Sequence, residues 1–376
     1  MRRWMAAPLL FAAATFLTFT GENSSARAQD ELKPVEENFL TADGVRLKGL
    51  FHKSAKPAPG NPIVILLYQP GVGSTLDKPG DWAGLTKTLT EKGYHVFRFD
   101  WRGHGKSKDI VDTDTFWNNT FTGAWNRKFV KGATKKPIKN DIDIKTDFDE
   151  GSRARYFPMY VQDLAAARNH LDGKNDQNEV NTSSIYIIGA GDTAGLGLLW
   201  MTAEWARPAI HPLLGAGATY KVVPMYGIIV DPEAGRDIAG AVWLSGTRST
   251  AFQERTVTEW TKATAKLRDN NPMLFLYGDK DTAGHTQAKF YFDQVLVAKG
   301  NKMLGVKALE QTFVSELKAG NLKGVALLGN DATLGTETTI LKYFDARQKD
   351  RAAVVRRQRG YPGPYYINLS TFGLNP

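Results

Sequence analysis

The pattern of apolar and polar positions alternates between short apolar runs and segments with helical spacing over most of the chain. Residues 35–40 and 45–51 predict two strands, and the Asp43-Gly44 pair between them is a hairpin signal. Residues 82–92 have helical spacing and stop at Gly93. Further apolar runs predict buried strands, at residues 63–67, 94–99, 184–188, 239–245, 272–278 and 324–328. This alternation predicts an α/β fold with a mostly parallel sheet and helices on both faces.

The N-terminal segment has the pattern of a secretory signal peptide. Arg2 and Arg3 precede an apolar run over residues 4–19, and Ala26-Arg27-Ala28 offers a cleavage site after Ala28. The run is short for a membrane span, and no later stretch is apolar enough to be one. We therefore expect a leader over residues 1–28, a secreted or periplasmic protein, and no transmembrane segment after cleavage.

Composition limits the possible chemistry. The chain has 376 residues and no cysteine, which excludes a cysteine nucleophile and thiolate metal sites. Its formal net charge is +9, but basic and acidic residues are interspersed and form no nucleic-acid-binding module. The sequence predicts no nucleic-acid partner and leaves the oligomeric state open.

The stretch over residues 183–196 reads as a buried strand, a glycine turn and the start of a small-residue helix. Two kinds of site use this geometry. One is the nucleophile elbow, Gly-x-Ser-x-Gly, which lifts a serine above a sheet. The other is the dinucleotide fingerprint, and Gly189-Ala190-Gly191 followed by Asp192, Thr193 and Ala194 matches its spacing.

The order of elements resembles the α/β-hydrolase superfamily, in particular its lipase-like and serine-aminopeptidase-like branch. A strand, a glycine loop, a helix and a strand lead into Asp-x-Arg-Gly-His-Gly-x-Ser at residues 100–107. The resemblance covers most of residues 45–346. It implies that the loop containing Tyr68, Gln69 and Gly71 forms an oxyanion pocket. It also implies that Asp281, after the strand ending in Gly278, is the triad acid.

The elbow lacks the serine that this resemblance implies. When the strand ends are aligned, Gly191 takes the nucleophile position. Two shifted registers stay open: Gly191 to Gly195 reads Gly-x-Thr-x-Gly and offers Thr193, and small residues also flank Asp192. An atypical ester or peptide hydrolase using Asp192 or Thr193 is thus the alternative to an inactive relative.

The triad histidine is missing as well. It should follow the last strand, which we predict at residues 324–328, yet no histidine occurs beyond His285. His285 stands only four residues after Asp281, at the start of the next helix. Loss of nucleophile and base together predicts a non-catalytic protein that binds an unidentified small molecule or peptide.

The sequence gives less support to a dinucleotide site and to a metal site. A dinucleotide site needs a carboxylate about 20 residues after its glycines, and residues 208–212 contain none. The dense carboxylates at residues 141–150 fail the EF-hand spacing, because Thr146 replaces the required glycine. We therefore predict no metal and no cofactor, with dinucleotide binding through Gly189-Ala190-Gly191 as a further alternative.

Three segments extend the α/β-hydrolase plan, which we expect to occupy residues 29–346. Residues 110–157 form an aromatic, charged insertion that either caps the pocket as a lid or is a solvated surface loop. Residues 208–237 form a second excursion, rich in glycine and proline. The basic, aromatic tail at residues 347–376 predicts an extended strap over the surface.

Overall fold

In the computed structural model, the described residues are 33–58, 60–70, 76–131, 139–207, 210–212, 226–228, 234–263, 265–297, 307–329, 331–351, 354, 357, 359 and 365–376. The predicted leader at residues 1–28 lies outside them, as does most of the excursion at residues 208–237. Among the described residues, no helix is both long and apolar enough to cross a bilayer.

An eight-stranded sheet forms the centre of the molecule. Its strands are β1 (Val35–Leu40), β2 (Arg46–His52), β3 (Pro62–Leu67), β4 (His95–Phe99), β5 (Asn181–Ala190), β8 (Ile238–Leu244), β9 (Met273–Gly278) and β10 (Phe313–Leu317). They lie in the order β1-β2-β4-β3-β5-β8-β9-β10. Strand β2 pairs antiparallel with β1 and β4, and the other pairs are parallel. A separate pair comprises β6 (Ile210–Pro212) and β7 (Tyr226–Ile228).

Helices cover both faces of this sheet. They are α1 (Trp82–Glu91), α2 (Thr113–Asn118), α3 (Gly123–Phe129), α4 (Glu150–Tyr156), α5 (Val161–Asp176), α6 (Thr193–Ala206), α7 (Glu254–Ala263), α8 (Ala265–Asn270), α9 (Thr282–Lys289), α10 (Lys307–Glu310), α11 (Asp331–Leu334) and α12 (Thr336–Asp350). A π-helical segment, Phe290–Val297, continues α9. One buried cluster packs α5 and α6 on one face, and a second packs α1 and α12 on the other. The predicted α/β architecture with helices on both faces is confirmed.

The position of the last strand was predicted wrongly. Residues 324–328 do not form a strand; Gly324–Leu327 is a turn of 3-10 helix, and Gly324 has a left-handed φ of +54°. The last strand is β10, which lies at the edge of the sheet and exposes Phe313 and Glu316. The partly exposed positions of β10 give no clear strand pattern. The apolar run at residues 324–328, in contrast, has the pattern of a buried strand.

The insertion at residues 110–157 packs its aromatic side chains into the main core. Each of four rings is less than 5% exposed, namely Phe116, Trp117, Trp125 and Phe129. Its charged stretches pair with each other and with neighbours, as Lys139 does with Asp147 at 2.5 Å and Lys108 with Asp143 at 2.5 Å. The aromatic part of the insertion is therefore a structural layer of the domain.

The Arg-Gly-His-Gly turn after β4 has a structural role. Arg102 is 1% exposed and donates to Asp43 at 2.7 Å and to Asp163 at 2.6 Å. These contacts join the β1–β2 hairpin, the turn and α5 through one buried cation. Burial alone would raise the pKa of Asp43. The charge of Arg102 and the hydrogen bonds to the carboxylate lower the pKa by more, so the net shift is downward.

The described part of the C-terminal tail crosses the molecule as a strap. Arg357 and Arg359 both pair with the buried carboxylate of Asp237 at 2.8 Å. Further on, the backbone of Ile367 exchanges two hydrogen bonds with the side chain of Gln162, and Phe372 packs against α7. The tail thus closes over elements from both halves of the chain.

Candidate functional site

The glycine turn after β5 has the geometry of a nucleophile elbow with Gly191 at its apex. Strand β5 ends at Ala190, Gly191 adopts a left-handed φ of +59°, and helix α6 begins at Thr193. The N–H of Gly191 donates to the carbonyl of Leu244 at 3.1 Å, which ties the apex to the end of β8. The left-handed residue is therefore Gly191 and not Asp192 or Thr193. This corresponds to the unshifted alignment, in which Gly191 takes the nucleophile position.

The hydroxyl of Thr193 braces the elbow from inside. It accepts from the N–H of Ala190 and donates to the carbonyl of the same residue, both at 2.9 Å. Thr193 is fully buried, and a Cβ placed on Gly189 would lie 2.7 Å from its Oγ1. The space above Gly189, which a dinucleotide would need, is thus filled by the chain itself.

The apex carries no side chain, but polar groups surround the position where one would stand. A Cβ placed on Gly191 would lie 3.6 Å from Oε1 of Gln69 and 3.7 Å from Oγ1 of Thr247, which is ordinary van der Waals contact. The hydroxyl of Thr247 donates to the carboxylate of Asp192. The loop that follows β8 therefore holds the side chain of Asp192 next to the apex of the elbow.

The predicted oxyanion loop is described only in part. Gln69 is exposed, and its Oε1 faces the elbow. Tyr68 turns the other way: its ring packs on Trp82 in the core, and burial raises its pKa to about 12. Gly71 lies outside the described residues.

Asp281 lies where the fold carries its triad acid, after β9. It is 1% exposed and caps α9, accepting from the N–H of Gly284 at 3.1 Å. Its second oxygen, Oδ2, and the hydroxyl of the neighbouring Ser245 are both buried, and neither has a hydrogen-bond partner among the described residues. Ser245 follows β8 with a left-handed φ of +43°, so the backbone is strained beside the acid.

Lys323 is the described basic residue beside Asp281. It stands in the loop after β10, and its Nζ lies 3.5 Å from Oδ1 of Asp281. The loop is fastened to the acid's own turn, because Gly320 donates to Asp279 at 2.5 Å and accepts from Lys280 at 3.1 Å. The next residue, Gly324, approaches the elbow, since a Cβ on it would lie 3.7 Å from Cβ of Ala190.

No histidine accompanies Asp281 among the described contacts of its carboxylate. The ring of His285 stacks on Tyr277 with centroids 5.0 Å apart, on the flank of α9. His95 and His104 are buried beside β4, far along the sheet order from β9. The described side-chain partner of Asp281 is therefore Lys323.

The sequence patterns missed Lys323 because the last strand was misplaced by about ten residues. With β10 at Phe313–Leu317, the loop that carries a triad histidine becomes residues 318–324, and Lys323 is its penultimate residue. The available signal was the modest alternation over residues 313–317. Among the described residues, no group of three or more carboxylate or histidine side chains could hold a metal ion.

Comparison with known proteins finds distant similarity. No family model matches the chain. A stretch of 70 residues is 36% identical to the uncharacterised protein YfhR of Escherichia coli, covering 19% of this chain and 24% of YfhR. The match thus spans about a quarter of the length of that protein.

Solved structures similar to the chain include hydrolases. An esterase of Pyrococcus furiosus is 12% identical with a TM-score of 0.45, covering 91% of this chain and 99% of the esterase. A putative α/β hydrolase of Agrobacterium tumefaciens is 15% identical with a TM-score of 0.39, covering 85% and 96%. A fungal esterase of Rhizomucor miehei is 11% identical with a TM-score of 0.45, covering 89% and 90%.

The topology of the sheet identifies the fold. A single reversed strand, β2, stands beside parallel strands in the order given above, and a left-handed turn joins the central strand β5 to helix α6. A buried carboxylate follows β9, two strands beyond. The chain therefore has the α/β-hydrolase fold, as its sequence motifs predict.

Proposed function

We propose that this chain is an exported α/β-hydrolase-fold protein that has lost hydrolytic activity and keeps its elbow pocket for binding. One observation carries the proposal: the apex of the elbow is Gly191, which has no side chain. A serine hydrolase needs a nucleophile there and a base that accepts its proton. Loss of the triad reduces kcat by about 10⁶.

The side chain at the histidine position supports the same proposal. An ammonium group is protonated at neutral pH and has no lone pair with which to accept a proton. Lys323 is 60% exposed, and its Nζ lies 3.5 Å from the carboxylate of Asp281. A protonated lysine is therefore a poor general base for acyl transfer.

The atypical-hydrolase alternative draws less support from the geometry. The hydroxyl of Thr193 is buried under the elbow and is fully engaged with the backbone. The carboxylate of Asp192 is half-buried and accepts from Thr247. Neither group occupies the apex, where the fold presents its nucleophile.

The test is a turnover assay on the purified protein with nitrophenyl esters of short and long acyl chains and with aminoacyl amides. We expect no turnover above the buffer rate. Turnover that Asp192→Asn or Thr193→Val abolishes in a folded protein would overturn the proposal in favour of the alternative. Export is tested separately by sequencing the N-terminus of the protein from a bacterial periplasm, where the proposal expects Gln29 as the first residue.

A matched gain-of-function variant tests whether the pocket still has hydrolase geometry. The contacts of a Cβ on Gly191 are ordinary, so Gly191→Ser fits the space, although its left-handed φ costs about 1–2 kcal/mol. We expect Gly191→Ser with Lys323→His to hydrolyse short nitrophenyl esters measurably faster than the parent. Gly191→Ala with Lys323→His is the control, because it restores the base without the nucleophile and should stay at the buffer rate.

A further inference from the structure

A cavity of about 310 Å³ lies between helix α1 and the end of strand β2. Arg98 of β4, His52 of β2 and the adjacent Lys53 line it, together with Lys87 and Glu91 of α1. The described lining has no residue in common with the elbow. A volume of this size is at the lower end of the range for small-molecule sites, so the cavity suits a small ligand.

Arg98 brings a buried positive charge to the wall of this cavity. It belongs to β4, a strand that is buried along its whole length, and it is 4% exposed. Its Nε donates to Nε2 of His52 at 3.2 Å, and its Nη2 donates to the carbonyl of Leu76 at 3.3 Å. Both acceptors are uncharged, so these contacts orient the guanidinium without neutralising it. A charge at a buried site is screened less than one in solvent and attracts an anion more strongly.

The contact with Arg98 also decides which nitrogen of His52 carries the proton. Burial and the charge of Arg98 lower the pKa of His52 to about 4, so the ring is neutral at pH 7. A guanidinium can only donate, so Nε2 of His52 presents its lone pair and the proton is on Nδ1. Nδ1 has no hydrogen-bond partner among the described residues, so its N–H is left for a ligand oxygen.

The remaining lining combines positive charge with apolar surface. Lys53 and Lys87 are exposed cations, and Glu91 is the only acidic residue of the described lining. The exposed pair of Lys87 and Glu91 is weak at 3.9 Å, so three cations face a single carboxylate that offsets them little. The apolar lining residues are Ala55, Pro79 and Ala83.

We propose that this cavity binds a small organic anion, with the anionic group at Arg98, His52 and Lys53 and the hydrocarbon part against the apolar lining. Charge-assisted hydrogen bonds are about twice as strong as neutral ones, so a neutral amide of the same shape gains less from these donors. A carboxylate and a phosphate monoester share the required chemistry. The site goes beyond the proposed function of the elbow and does not depend on it.

Titration calorimetry on the full-length protein tests the proposal with matched probes. Benzoate and phenyl phosphate are compared with benzamide, and hexanoate is compared with hexanamide. We expect at least one anion to bind about tenfold or more tightly than its neutral partner. Tighter binding of phenyl phosphate than of benzoate identifies a phosphate monoester as the preferred group, and the reverse identifies a carboxylate.

Three variants with opposite expectations assign the binding to this cavity. Lys53→Met should weaken binding of the anion about threefold or more, whereas Glu91→Gln should strengthen it, because each changes the charge of the lining in the opposite direction. Lys56→Met is the control, because it removes the same charge from an exposed lysine three residues further on, outside the described lining. Thermal melts verify that each variant is folded.

The histidine supplies a readout that a general change of charge would not move. Nitrogen NMR of the imidazole rings should show the proton of His52 on Nδ1, with His52→Gln identifying the signal. Addition of the anion should shift this Nδ1 signal and leave that of His285, which stacks on Tyr277 outside the cavity, unchanged.

The inference is overturned if the anions and their neutral partners bind the parent equally, or if the parent binds none of the five probes. It is also overturned if Lys53→Met and Lys56→Met behave alike, or if the anion leaves the His52 signal in place. Each of these results leaves the proposed function of the elbow intact, because the ester assay tests that function at different residues.

Discussion

At the scale of single residues, the elbow has the backbone conformation of a nucleophile turn with a glycine at its apex. Gly191 adopts the left-handed φ at which a nucleophile elbow holds its serine, and a glycine does so without the steric cost that a side chain brings. Its neighbour Thr193 fastens the turn from below. The turn is therefore maintained by buried hydrogen bonds that do not depend on a nucleophile.

The role of Thr193 predicts a loss of stability when its hydroxyl is removed. Thr193→Val keeps the shape but leaves the N–H of Ala190 without its partner, and a buried unsatisfied group costs about 1–3 kcal/mol. Urea denaturation should show this decrease in the free energy of unfolding. Thr286→Val, at an exposed hydroxyl that bonds back along α9, should change it by less than about 0.5 kcal/mol. An equal effect of the two variants would contradict the bracing role.

At the scale of elements, the sequence predicts the sheet well where strands are buried and poorly at its edge. Strands β3, β4, β5, β8 and β9 are buried along their whole length and appear as continuous apolar runs. Strand β10 is an edge strand with exposed and half-buried positions, so its pattern is weak. The apolar run after it folds into a 3-10 turn, because local hydrophobicity does not specify backbone conformation.

The weak pattern of the edge strand also explains which residues of the candidate site could be predicted from the sequence. Asp281 and Gly191 follow buried strands, so the ends of those strands place them. Lys323 follows the edge strand β10. Its contact with Asp281 depends on the parallel pairing of β9 with β10, two strands that are separated along the chain. A lone lysine in a loop carries no motif that would reveal this contact.

The C-terminal strap is the element whose stability contribution is most easily measured. Phe372 is 8% exposed and packs edge-on against Trp260, whose indole N–H donates to the carbonyl of Phe372 at 2.5 Å. We expect Phe372→Ala to lower the free energy of unfolding by about 3–5 kcal/mol, as measured by denaturant titration.

The exposed Thr371 supplies the matched control for this experiment. Thr371→Ala shortens the adjacent side chain without opening a cavity, and it should change the unfolding free energy by less than about 0.5 kcal/mol. If Phe372→Ala proved as mild, the tail would be a loosely attached segment and not a strap.

At the scale of the whole molecule, buried histidines couple stability to pH. Burial lowers the pKa of His95 to about 4, and burial together with Arg98 lowers that of His52 to about 4. The geometry agrees, because Nδ1 of His95 accepts from the N–H of Ser54 and Nε2 of His52 accepts from Arg98. Both imidazole rings are therefore neutral in the folded protein and act as hydrogen-bond acceptors.

The sign of the pH effect follows from these depressed values. Below the unfolded pKa of about 6.5, the unfolded chain binds protons that the folded chain does not. Stability is therefore full above about pH 6.5 and falls towards pH 4, by up to about 1.4 kcal/mol per pH unit for each histidine. Denaturation curves at pH 7.5, 6.5, 5.5 and 4.5 measure this decline.

His95→Gln isolates one contribution, because glutamine keeps an acceptor for Ser54 but does not titrate. The variant should lose less stability than the parent between pH 6.5 and pH 4.5, and His52, His104 and His170, whose pKa values are also lowered by burial, contribute to the remainder.

Burial raises the pKa of Asp163 to about 6 against the opposing effect of Arg102, and this carboxyl adds stability as the pH falls through the same interval. The difference between the variant and the parent therefore isolates His95, and an equal pH dependence of the two would rule out a neutral His95.

The hydrogen bonds between the turn after β9 and the loop after β10 have a kinetic consequence. Gly320 bonds to Asp279 and to Lys280, so the two loops that carry Asp281 and Lys323 are joined to each other. A preorganised receptor gives up little conformational entropy on association and need not wait for a loop to close. For the proposed binding function, we therefore expect ligands to differ in their dissociation rates more than in their association rates.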